Sequence, residues 1–258
     1  MFCILQDTRI VHTKFSRALK KLLIISLLLF LGGLAALLQL RACRPIERPD
    51  LSGSALAAIG GFRSIAAEIV WFRADRLQEE GRYVELAQLA STLTFLEPHT
   101  PEVWSFAAWN LAYNISVMMP TLEDRWRWVD AAINLLRDDG LRLNPREAEL
   151  YRELAWLFQV KIGADIDSAA SIYRRIWRER VESVKARNAW GELKMNEEKM
   201  KKIEKATGLS DWGNPLLSAI YWAGEGLPYA SGNTKVFLHE IIRQSLFAAR
   251  KAVKKEEV

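Results

Sequence analysis

The feature that most constrains this chain is an uncharged run near its start, Leu22–Leu40, reading LLIISLLLFLGGLAALLQL. At about 1.5 Å of rise per residue, such a run forms a helix of roughly 28 Å, close to the hydrocarbon thickness of about 30 Å. The sequence therefore predicts a single transmembrane helix over 22–40, with the lipid bilayer as its partner. The preceding residues 1–21 form a basic leader carrying Arg9, Lys14, Arg17, Lys20 and Lys21 against Asp7. On the far side, Arg41, Arg44 and Arg48 are offset by Glu47 and Asp50. The positive-inside bias then puts the N-terminus in the cytoplasm and the body on the exported face. No small-x-small cleavage site follows the run, which is long for a signal core. Leu40-Arg41-Ala42-Cys43 resembles a lipobox at Leu40, Ala42 and Cys43 and departs from it at Arg41, so a lipoprotein anchored at Cys43 is the alternative.

Composition restricts the chemistry. The net charge is +5, and much of that excess lies beside the apolar run, leaving no basic face for nucleic acid. Cys3 and Cys43 fall on opposite sides of the predicted span and cannot pair within one chain. His12, His99 and His239 are scattered, with no companion ligand at metal spacing. No metal and no cofactor are expected.

Residues 41–54 read as a linker, because Pro45 and Pro49 disfavour helix in the residues before them. Beyond them the apolar period is helical and strand alternation is almost absent. The expected fold is all-α. Leu56, Ile59, Phe62, Ala66, Ile69 and Val70 mark the first helical face, on which Arg63 and Glu68 argue against a second span.

From Ala67 onward the spacing resembles the tetratricopeptide (TPR) repeat, a pair of antiparallel helices of about 34 residues. In the first unit Ala74 and Leu77 stand at the small and large crossing positions. Gly81 and Tyr83 mark the turn, and Pro98 ends the unit. Trp104, Ala108 and Leu111 take the corresponding places in a second, longer unit, whose second helix is expected from Leu122. The third has Tyr151, Leu154, Ala155 and Phe158, then Ala169, Ile172, Tyr173, Ile176 and Trp177. The repeats span 55–177. Residues 178–258 read as a C-terminal helical extension capping the solenoid. Within it, Arg178–Lys205 reads as a charged stretch with a thin apolar stripe, and Lys251–Val258 as a polar tail.

The stretches Gly60-Gly61-Phe62-Arg63, Glu80-Gly81-Arg82-Tyr83, Ala108-Trp109-Asn110-Leu111-Ala112-Tyr113-Asn114, Leu150-Tyr151-Arg152-Glu153-Leu154 and Tyr221-Trp222-Ala223 resemble a family of bacterial inner-membrane proteins with TPR-like bodies. The resemblance implies a membrane-anchored, periplasmic TPR-like body, and implies no chemistry. In TPR proteins the first helix of each unit lines a concave groove. Carried over, that groove is Trp71, Asp75 and Gln78 in unit one, Ser105, Trp109 and Tyr113 in unit two, and Arg152, Trp156 and Gln159 in unit three. A competing reading packs Trp109 and Trp156 beneath C-terminal helices folded back into the groove.

The function this predicts is an interaction scaffold holding an unknown protein or peptide on the exported face. The alternative is a structural subunit of an envelope complex, assembled through the membrane helix, where Gly32-Gly33 allows close packing. An envelope glycan-active enzyme ranks below both. Asp211, Glu225 and Glu240 supply carboxylates, yet no pair stands at a recognisable catalytic spacing. No catalytic residue is expected.

Overall fold

The computed structural model describes residues 51–256, with side chains from 65 to 253. The leader, the expected transmembrane helix and most of the linker lie outside those residues. Among the described residues, no helix is long and apolar enough to cross a membrane. They are all-helical, with no strand. A boundary between two compact units falls between Ile65 and Ala66. The described part of the first is the beginning of one helix, and all the packing described below belongs to the second.

Helix α1 runs Leu51–Glu79, so the last four residues of the expected linker are already helical. Gly81, at φ +70°, ends it: Arg82 N–H reaches back to the Leu77 carbonyl at 2.9 Å. A left-handed glycine satisfies the last carbonyls of a helix in this way without a Cβ penalty. Helix α2 is Tyr83–Leu96, and α3 is Pro101–Trp109, with proline at its first position. Helix α4, Leu122–Asn134, starts on Thr121, whose hydroxyl accepts from Asp124 N–H at 3.1 Å. Helix α5 spans Ala148–Trp156 and α6 Ala170–Ala186. After the last α-helical residue of α3, α4 and α5 the chain widens into a π-helical turn, at Asn110–Ile115, Leu135–Gly140 and Leu157–Ile162. Each such turn rotates the residues beyond it relative to an unbroken α-helix.

The helices form two layers. Trp104 lies beside Leu150 at Gly140, and the Lys161 ammonium faces the Tyr113 ring, so α3 and α5 run parallel. Trp126 meets Tyr173 at 6.1 Å and Asp130 pairs with Arg180, so α4 and α6 run parallel as well. Of the expected crossing residues, Ala74, Leu77, Trp104, Ala108, Leu154, Ala155 and Phe158 are buried, and Leu111 and Tyr151 are half-buried. The Pro98 carbonyl locks the first turn to the second, accepting from Trp104 Nε1 at 2.9 Å and Asn144 Nδ2 at 2.8 Å.

The charged stretch Arg178–Lys205 is not one helix. It breaks at Ala186, passes through left-handed Asn188 and Lys194, and resumes as α7, Glu197–Thr207. The cause is burial: Trp190, Leu193 and Met195 turn into the core, and a straight helix would carry them past it. Gly208, at φ +73°, stops α7, and Asn214 caps α8, Pro215–Gly226. Helix α9, Gly232–Glu256, carries most of the expected polar tail in helical form.

Helices α8 and α9 depart from the repeat. Gly226 stands against Tyr151 and Leu216 against Gly163, so α8 lies antiparallel on α5. A Cβ at Gly226 would fall 2.6 Å from Tyr151 Cβ, which backbone-linked atoms cannot yield. Gly226→Ala should therefore cost about 1–3 kcal/mol through overpacking. Gly224→Ala, in the same helix but facing open space, should gain about 0.5–1 kcal/mol. Urea denaturation midpoints of the two variants should move in opposite directions.

Candidate functional site

The nine groove residues separate into three groups. On α1, Asp75 and Gln78 are exposed, while Trp71 is half-buried with its ring 5.0 Å from Phe106. Trp71 is thus partly core, where the sequence reading made it a groove residue. On α3, Ser105 is half-buried, and its hydroxyl has no hydrogen-bond partner.

In the third unit, α9 runs parallel to α5 and covers Arg152 and Gln159. Thr234 bonds Glu149, the Arg152 guanidinium sits 5.7 Å above the Phe237 ring, and Gln159 Nε2 donates to the Ile241 carbonyl at 3.2 Å and Ser245 Oγ at 3.1 Å. Arg152 is further held by Glu149 at 2.7 Å and Glu153 at 2.6 Å. Arg152 and Gln159 are therefore both engaged within the chain, Gln159 buried and Arg152 half-buried. Covering α5 hides the apolar face of the last repeat-like pair, and the chain supplies its own helix for that purpose.

What remains open is aromatic. Trp109 is 45% exposed and Trp156 37% exposed, so neither is buried beneath the C-terminal helices. They are the last α-helical residues of two parallel helices, each immediately before a π-helical turn. Tyr113 joins them: Trp109 stacks on it at 5.5 Å, and the Trp156 indole adjoins its hydroxyl. Burial, with the nearby Glu153 carboxylate, pushes that hydroxyl well above the usual phenol range. Burial also raises Glu153, helped by Glu149 and opposed by Arg152. The surface can stack against flat or apolar groups. It presents no nucleophile beside a base.

Directly beneath lies a polar junction that the sequence reading did not identify. The Lys161 ammonium, only 2% exposed, donates to Asp167 Oδ2 at 2.6 Å. The Tyr173 hydroxyl donates to the same oxygen at 3.1 Å, Ala169 N–H to Oδ1 at 2.9 Å, and Arg125 stands 3.5 Å from Oδ1. The ammonium also lies 5.1 Å from the Tyr113 ring centre and 5.8 Å from that of Tyr173. The sequence carried one signal for it: Lys161 is a lone charge among Leu157, Phe158, Val160 and Ile162, six residues before an acid.

Among the described residues, no group of three or more His, Cys, Asp or Glu side chains is placed to hold a metal ion. Comparison with protein-family models, with curated proteins and with solved structures finds no match to the chain.

Burial alone would raise the Asp167 carboxyl, but Lys161, the Ala169 amide and Tyr173 outweigh it and hold the group below the usual range. A depressed carboxyl stabilises the fold at every pH above its unfolded value of about 3.9, and that contribution fades as pH falls through the folded value. Asp167→Asn should accordingly flatten the loss of stability below about pH 4. Lys161→Met should cost about 3–5 kcal/mol at neutral pH, because it leaves a buried carboxylate without its counter-charge. Denaturant titrations from pH 3 to pH 7 would measure both.

Proposed function

We propose that the protein is a membrane-anchored interaction scaffold, with a TPR-like body that engages a protein or peptide segment through Trp109, Tyr113 and Trp156. The observation that carries this reading is the exposed pair of tryptophans on parallel helices, one repeat apart, left open where α9 covers their neighbours Arg152 and Gln159. Large aromatic side chains cost a monomer apolar exposure, and at interfaces they are the usual energetic anchors. The parallel α3–α5 and α4–α6 layers, with alanines at the crossings, support a helical-hairpin solenoid of the TPR kind. The anchor rests on Leu22–Leu40 and the exported orientation on the charges flanking it.

The test uses the full-length protein in mild detergent. Trp109→Ala and Trp156→Ala should each melt close to the wild type, since both indoles are substantially solvent-exposed. Each should weaken partner capture from envelope extract by about 2 kcal/mol, roughly thirtyfold. Trp177→Ala, at a position 1% exposed, should instead destabilise the fold by about 3–5 kcal/mol. Unchanged capture by both exposed-tryptophan variants would sink the proposed surface. If capture then required the Leu22–Leu40 segment, the structural-subunit reading would take its place.

A further inference from the structure

The outward face of α1 carries a second exposed apolar feature, remote in character from the aromatic site. Ile69 and Phe72 follow one another at helical spacing and are 65% and 75% exposed. Arg73 and Arg76 flank them on the same side, and Arg73 has no ion-pair partner among the described residues. Ile69, Phe72, Arg73, Arg76, Arg82 and Glu80 line a cleft of about 470 Å³, in which one carboxylate stands among the guanidinium groups. Arg76 and Arg82 share Glu80, and Glu68, Asp75 and Glu79 occupy the adjoining strip of the helix toward water.

We infer that this stripe is a bilayer-contact surface, with Ile69 and Phe72 at the acyl boundary and Arg73 and Arg76 among the phosphates. The inference rests on the membrane-anchored reading above. On that reading, the apolar run ends at Leu40 and α1 begins at Leu51, so little sequence separates the helix from the anchor. An amphipathic helix at such an interface buries its apolar face roughly 5–10 Å into the headgroup and acyl boundary. Long basic side chains then reach outward to the headgroups. A face of this composition held in bulk water loses that burial, because Ile69 and Phe72 leave most of their surface exposed.

The experiment uses the full chain with Cys3→Ser and Cys43→Ser, reconstituted into phosphatidylcholine–phosphatidylglycerol vesicles. Single cysteines, Ile69→Cys, Phe72→Cys and, as a control on α4, Glu123→Cys, carry an environment-sensitive nitrobenzoxadiazole label. Labels at 69 and 72 should shift to the blue and lose emission when doxyl-labelled lipid is included, and the label at 123 should do neither. Flotation of the same vesicles reports the anchor separately. Flotation with no doxyl quenching at 69 or 72 would overturn the bilayer contact while leaving the anchor intact. A blue shift without quenching would do the same and assign the face to protein, either a second copy or this chain's first fifty residues. Failure to float would overturn both readings.

Discussion

One buried carboxylate holds four helices in register. Asp167 sits in the short connection between α5 and α6, receives Lys161 from the end of α5 and Tyr173 from α6, and stands close to Arg125 of α4. The ammonium it binds lies over the Tyr113 ring at the end of α3. An ion pair taken out of water stabilises little by itself, since desolvation offsets most of the attraction. Its force lies in what happens when it is mispaired. Separating Lys161 from Asp167 would leave a charge buried alone, which costs several kcal/mol. The aromatic surface above it is thus set on a base with one arrangement. The π-helical turn at Leu157–Ile162 contributes by rotating Lys161 inward, where an unbroken helix would carry it to another face.

The C-terminal helices decide how much of the concave side is free. Helix α8 reaches α5 closely because Gly226 and Gly163 leave room for Tyr151 and Leu216 respectively. That contact, together with the Tyr151 ring near Trp222 and Tyr229, positions the turn into α9. Helix α9 then runs along α5, and Gln159 binds its backbone at Ile241. The two parts of the concave side differ in how much α9 covers them. Self-covering applies to Arg152 and Gln159, and openness to Trp109 and Trp156.

The helical crossings were legible because they obey a local rule. Alanine recurring at a fixed place among large apolar residues marks where two backbones approach, and Ala74, Ala108 and Ala155 are buried as that rule requires. Caps were legible for the same reason: Asn214-Pro215 and Gly208 fix backbone geometry within a few residues. Lys161 was not legible as an interior residue. Its environment depends on Tyr113, 48 positions earlier, and on a π-helical turn that no periodicity announces. The break after Ala186 has no local signal, because Trp190 and Leu193 are drawn inward by distant partners.

By itself, the sequence determined the all-helical class of the body, the register of its crossing alanines and the positions of its caps. These follow from interactions among residues a turn or two apart. It also supplied the apolar run Leu22–Leu40, a property of composition and length alone. Only the tertiary structure decided which aromatic side chains face solvent, which charges are buried, and that α9 occupies the groove beside α5. Those outcomes depend on contacts between segments more than forty residues apart, such as Gln159 with Ser245 and Lys161 with Tyr113. Burial there is set by what arrives from elsewhere in the chain, and no local pattern encodes it.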